Sequence, residues 1–308
     1  MTNSFRQIGI IVFILLTMHA YQESSVVTTG QWETIPVQEH RVVSGDVDLF
    51  VRAAGNLSSG KVLLALNGGP GVSSRYMTDL EVLAGENLAL ITFDQRGVGR
   101  SKAPALEVSN FVFEKYLDDI EAIRKTLGIK SFHILGHSWG GILALKYTLV
   151  HPDNVDSLIL IGSGPIKDSE LKVFLGKIRE RVIELIHQGI IDGKLERHSD
   201  IYPAYLSNPR FKPPFDLIPD LNEPVMNLTF QAITGYDLTN DLPQIHKKIM
   251  ILWGEDDPVS LDVAKATKAA LTGAQVELIV IEECGHFWQE RPQEFLAHIR
   301  AFLIKKTP

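Results

Sequence analysis

The chemistry legible in this chain begins at Gly136-His137-Ser138-Trp139-Gly140-Gly141, where a serine stands between glycines two residues away on either side. Such a GxSxG pattern carries meaning only between a strand and a helix, where a sharp turn lifts the serine hydroxyl clear of the backbone. Both neighbours are in place: the β-rich Phe132 to Leu135 ends just before it and the helix-like Ile142 to Val150 follows. Glycine suits both flanks because so tight a turn leaves no room for a Cβ beside the crossing backbone. A serine hydroxyl is a poor nucleophile until a base takes its proton, so a histidine and an acid to orient it must be found.

The chain supplies them further on. Trp253-Gly254-Glu255-Asp256-Asp257-Pro258 follows one apolar run, and Glu282-Glu283-Cys284-Gly285-His286 follows the next. Ser138, Asp257 and His286 then stand in the Ser, Asp, His order of hydrolases with this kind of turn. Glu255, Asp256 and Asp257 are consecutive, so their side chains point different ways; Asp257 is favoured, with Asp256 as the alternative. Among the other histidines, His133 is mid-strand, His151 precedes a proline at a helix end, and His137 should point away from the serine. Acyl transfer also needs donors for the developing oxyanion. The backbone amide of Trp139 is one, and the loop Asn67-Gly68-Gly69-Pro70-Gly71 offers a second at Gly69.

These residues need a scaffold that gathers them. Glu33 to Val43 and Val47 to Arg52 flank the turn Ser44-Gly45-Asp46 and read as a hairpin. Short, nearly continuous apolar runs follow at 61–66, 88–93, 132–135, 155–161, 248–253 and 276–281. Runs of that kind suit strands buried on both faces. Between them lie helix-period segments, the clearest carrying Tyr116, Ile120, Ile123 and Leu127 on one stripe. Alternating strand and helix predicts a mostly parallel sheet with helices on both faces, whose carboxyl edge carries the site. The alternation breaks at 165–240, where an amphipathic helix over 168–188 gives way to a proline-rich stretch. That segment reads as a helical cap inserted into a core of 31–164 and 241–308.

The loop Asn67 to Gly71, the run Asp94-Gln95-Arg96-Gly97-Val98-Gly99-Arg100-Ser101 and the turn Gly136 to Gly141 occur in this order, each after a strand. In this combination the chain resembles the proline iminopeptidase branch of the α/β hydrolases. The resemblance implies an α/β-hydrolase fold with an eight-stranded sheet and helical cap. It also implies nucleophile, acid and base roles matching Ser138, Asp257 and His286. The implied activity is release of an N-terminal residue, often proline, from short peptides. The 94–101 run is expected to be a structural loop.

Two departures bear on that expectation. The family's oxyanion loop usually begins with His where this chain has Asn67, whose side chain can still bond a neighbouring backbone group. An aminopeptidase must also bind a cationic amine; the insertion offers Asp216, Asp220, Glu223, Asp237 and Asp241, none in flanking sequence that matches. An esterase or lactonase on small acyl substrates is therefore the rival reading, and a non-catalytic ligand-binding homologue is a third. Epoxide hydrolases and dehalogenases of this kind place aspartate where this chain has Ser138.

Composition narrows the partners. With 45% apolar and 22% charged residues over 308 positions, the chain is globular in character and needs no disulfide or metal to hold a core. Its one cysteine, Cys284, admits no intramolecular bridge and reads as a packing residue. Net charge is −7 with scattered basic residues, so nucleic acid is not expected. No motif calls for a cofactor; the expected partner is a short peptide or small molecule. Residues 1–20 carry Arg6 before an apolar run from Ile8 to Leu16 and end near Ala20, the shape of an export signal. Met18 sits where a small residue is preferred for cleavage, so an uncleaved membrane anchor is the alternative. Asn56-Leu57-Ser58 and Asn227-Leu228-Thr229 fit the glycosylation pattern, which matters only after export through a eukaryotic pathway.

Overall fold

The computed structural model describes residues 35–213, 216–218 and 220–304, and the leader expected at 1–20 lies outside them. Eight strands form one sheet: β1 (Val37–Ser44), β2 (Val47–Ala54), β3 (Val62–Leu66), β4 (Ala89–Phe93), β5 (Phe132–His137), β6 (Val155–Ile161), β7 (Lys248–Gly254) and β8 (Gln275–Ile281). Their order across the sheet is β1-β2-β4-β3-β5-β6-β7-β8. The first two pairings are antiparallel and all the rest are parallel, as the alternation of runs predicts. This is the α/β-hydrolase fold.

Among the described residues six α-helices accompany the sheet: α1 (Phe113–Thr126), α2 (Trp139–Val150), α3 (Asp168–His187), α4 (Glu223–Ala232), α5 (Leu261–Ala270) and α6 (Pro292–Ile304). Side chains alternate across each central strand, so the sheet has two buried faces. Leu64, Ile134, Leu158 and Ile251 pack with Ile120 and Ile123 of α1 and Leu143 of α2 on one side. Leu63, Leu135, Ile159 and Leu252 pack with Phe295, Ile299 and Phe302 of α6 on the other. Each such side chain, moved fully out of water, contributes about 1.5 to 3 kcal/mol. The edge strand β8 departs from the reading of two buried faces: only Ile281 of its seven residues is buried, because no strand lies beyond it.

The segment between β6 and β7 holds α3, a 3-10 stretch at His198–Tyr205, α4 and a short 3-10 turn at Leu242–Gln244, with a bridge of strand type between Lys167 and Asp237. It is tied to the core below it. Glu290 accepts from the amides of Ser207 (3.0 Å), Asn208 (2.9 Å) and Gly285 (2.7 Å). The 94–101 loop is anchored to the core through its charged side chains. Arg96 forms a fully buried ion pair with Asp119 of α1 (2.7 Å), and Asp94 accepts from the Ser74 amide and from the Arg100 amide.

Candidate active site

Register explains why distant segments meet. Leu66 at the end of β3 pairs with Gly136 near the end of β5, so the Asn67–Gly71 loop and the serine turn emerge side by side. Gly254 ending β7 pairs with Ile281 ending β8, which sets the loops carrying Asp257 and His286 next to each other. All four leave the carboxyl edge of the sheet, where α/β folds of this kind gather their ligands.

Ser138 occupies the turn between β5 and α2 with φ 53° and ψ −120°, a conformation strained for any residue with a Cβ. The flanking glycines are required by close approach: a Cβ on Gly140 would lie 2.1 Å from the Leu66 carbonyl oxygen, and one on Gly136 would lie 2.4 Å from that of Gly140. The turn is held from outside as well, since the Ser138 amide donates to the Ile161 carbonyl (3.1 Å) and its own carbonyl accepts from Gly164 (2.9 Å). Strain of this kind persists only where the surroundings over-determine it.

His286 and Asp257 form a buried pair. The imidazole Nδ1 lies 3.0 and 2.9 Å from the two carboxylate oxygens of Asp257. Asp257 also accepts from the Val259 amide (2.8 Å), which fixes its orientation. Asp256 faces elsewhere and accepts from the Ser207 hydroxyl at 2.6 Å. With Nδ1 engaged by the carboxylate, the Nε2 of His286 is free to act as a proton acceptor. Ser138 and His286 line one cavity of about 340 Å³ without a direct hydrogen bond between them.

The candidate oxyanion donors line the same cavity. Trp139 is the first residue of α2, so its amide has no intrahelical acceptor. The Gly68 carbonyl accepts from Asn67 Nδ2 at 3.0 Å, and in a trans peptide this turns the Gly69 N–H to the opposite side. No protein acceptor takes that N–H among the described residues. Asn67 Nδ2 also donates to the Val72 carbonyl (2.7 Å), so this asparagine does brace the loop.

Three contributors escaped the sequence reading. Gln95 donates to the Asn67 carbonyl and to Asn67 Oδ1 (both 3.1 Å) and accepts from the Trp139 indole (3.0 Å). Tyr76 accepts from the Gly68 amide (2.6 Å) and meets His137 Nδ1 (2.7 Å). His137 meets the His286 carbonyl through Nε2 (2.9 Å), its ring centroid 4.7 Å from that of His286. Gln95 lay within a run singled out for other reasons; nothing in local sequence marks Tyr76 or His137 as partners, since they are 61 positions apart.

The cavity wall is mostly apolar, with Leu171, Phe174 and Ile178 of α3, Met226 and Phe230 of α4, and Phe287. No Asp or Glu lines it among the described residues. Of the acids singled out above, Asp237 faces Lys167, Asp220 faces Ser73, and Asp216 closes a local turn. Glu223 alone pairs with a side chain of the wall, His198, at 3.1 Å. Cys284 is buried, and burial pushes its thiol far above its usual range, consistent with a packing role. Among the described residues no group of three or more His, Cys, Asp or Glu could hold a metal ion.

Comparison with known proteins agrees with this architecture. Residues 61–189 match the family model described as the alpha/beta hydrolase fold. The proline iminopeptidase of Lactobacillus delbrueckii subsp. bulgaricus is 29% identical over 295 residues, covering 85% of this chain and 97% of the relative. Among solved structures, a proline iminopeptidase-related protein of Thermus thermophilus superposes with a TM-score of 0.72 at 22% identity, covering 87% of this chain and 98% of its own. An esterase of Exiguobacterium antarcticum superposes with a TM-score of 0.65 at 21% identity, covering 86% and 99%. Likeness at that identity is likeness of fold. The chain has the α/β-hydrolase fold. Among proteins of that fold it resembles the proline iminopeptidase branch.

Proposed function

We propose that this chain is a serine hydrolase working through an acyl-enzyme. The observation that carries this reading is the buried His286–Asp257 pair opening on the same cavity as Ser138, which sits on a strained turn. His286 takes the proton of Ser138 as the hydroxyl attacks a carbonyl, and Asp257 orients the imidazole and stabilises its cation. The amides of Gly69 and Trp139 receive the oxyanion. His286 then returns the proton to the leaving group, and water repeats the attack on the acyl-enzyme.

Following its relatives, the substrate is a short peptide with an N-terminal proline or small apolar residue. The 165–240 segment, as a cap, limits substrate size and excludes water. The second reading, hydrolysis of small neutral esters or lactones, is favoured by the absence of any carboxylate from the cavity wall among the described residues. Export through the leader, or anchoring by it, accompanies either reading.

Parallel assays of prolyl and alanyl amides against p-nitrophenyl esters and lactones separate the two. Strong ester turnover with negligible amide turnover removes the peptidase reading. Activity that survives Ser138→Ala removes the serine mechanism.

A further inference from the structure

Four groups at the site form one continuous hydrogen-bonded chain: the Gly68 amide, the Tyr76 hydroxyl, the His137 ring and the His286 carbonyl, at 2.6, 2.7 and 2.9 Å. The ends dictate the order of protons between them. Gly68 N–H can only donate and the His286 carbonyl can only accept. His137 must therefore carry its proton on Nε2, and its bare Nδ1 must accept from Tyr76. A doubly protonated His137 would face the Tyr76 oxygen with a donor, leaving the phenol proton to find another acceptor. Burial, with the neighbouring His286 ring adding to it, holds His137 well below the usual imidazole range, which keeps it neutral. Burial likewise pushes the Tyr76 phenol far up, so it keeps its proton.

We propose that His137 and Tyr76 are positioning residues that hold the oxyanion loop and the base at a set spacing. The inference rests on the serine-hydrolase reading. One end of the relay holds the peptide unit preceding Gly68, next to the Gly69 donor; the other holds the main chain of His286 itself. A neutral His137 also leaves the positive charge of the reaction on His286 alone, with no second cation 4.7 Å away. Both line the cavity, yet their hydrogen bonds go to main-chain groups and to each other rather than to the Ser138 hydroxyl or the His286 ring, so they act through the geometry of the groups that react. The relay spans segments from three places in the chain, since no single loop holds both the donor and the base.

The test uses the rate at which a fluorophosphonate probe labels Ser138, a reaction needing both nucleophile activation and oxyanion donors. Tyr76→Phe removes one hydroxyl and keeps the ring packing; His137→Phe removes both ring nitrogens. Each is expected to lower the maximal labelling rate roughly 10- to 100-fold, with the half-saturating probe concentration within about threefold of the parent. The double variant is expected to be no slower than the worse single one, because either change cuts the same relay. A Tyr76→Phe loss under threefold, a loss confined to half-saturation, or losses that multiply would each overturn the proposal. If His137→Phe does not fold, Tyr76→Phe decides alone. Ser138→Ala separates the premises: continued labelling overturns the serine-hydrolase reading, whereas abolished labelling with a normal Tyr76→Phe overturns the relay only.

Discussion

Gln95 joins Trp139 to Asn67: its amide oxygen accepts the Trp139 indole N–H at 3.0 Å while its NH2 donates to Asn67 at 3.1 Å. The two residues it joins belong to the two loops that carry the candidate oxyanion donors. One side chain from the end of β4 thus braces both, with Asn67 and Gln95 themselves buried.

Gln95→Leu should weaken both braces at once. It leaves the Trp139 N–H and Asn67 Oδ1 short of a partner, at about 1 to 3 kcal/mol for each buried group left unsatisfied. The expected result is a lower melting temperature and a roughly tenfold fall in kcat with little change in KM, since the lost order lies in donors that act in the transition state. Steady-state kinetics on an activated ester, with a thermal melt on the same sample, measure both. An unchanged kcat would mean that the loops hold their geometry without it.

Neighbouring aspartates should behave very differently. Asp257 contacts His286 from both carboxylate oxygens, whereas Asp256 contacts Ser207. Asp257→Asn is expected to lower kcat by about 10⁴ through the wrong imidazole tautomer, the loss seen when the acid of a Ser-His-Asp triad is so changed. Asp256→Asn should stay within about twofold. Comparable losses in the two variants would refute the assignment of the acid.

A third expectation concerns space rather than charge. A Cβ on Gly162, whose φ is +47°, would stand 2.7 Å from Asp257 Oδ2 and 3.0 Å from His286 Nδ1. Gly162→Ala should push the pair apart and lower kcat roughly 100-fold, the scale of an ångström-sized misplacement. Wild-type kinetics in a folded Gly162→Ala protein would show that the pair tolerates displacement.

Asp79 makes stability depend on pH in a calculable direction. It accepts from the Trp288 indole and from Gln289 Nε2, both at 3.0 Å, on the segment just after His286. Burial, only partly offset by these bonds, pushes its carboxyl up to about 6. A folded value above the unfolded one means that ionised Asp79 opposes folding. The cost is absent below about pH 4, grows between pH 4 and 6, and is complete above it, on the order of 3 kcal/mol. Asp79→Asn should therefore stabilise the protein at pH 7, by an amount that shrinks toward pH 4. Melting temperatures of both proteins across that range decide it, and a gain independent of pH would count against this cause. The buried Asp79 Oδ1 and Gln289 Oε1, each without a partner among the described residues, fit a carboxyl that favours its proton.

Local pattern determined a large part of this protein. Apolar runs at 155–161 and 248–253 are strands because buried β-branched and leucine side chains fill both faces of a parallel sheet, and the strand-turn-helix setting of Ser138 follows from glycine at 136 and 140. The helix over 168–187 ends one residue from its expected limit, since an amphipathic stripe is a property of the segment alone. The tertiary structure decided what depends on pairs far apart in the chain. It turned Asp257 rather than Asp256 toward His286, because β7 and β8 must first pair before the loops beyond them can face each other. It left the acids of the insertion off the cavity wall and joined Tyr76 to His137 across 61 positions. Composition and periodicity report which face of an element is buried, but a hydrogen bond between loops exists only once strand register has set their distance and direction.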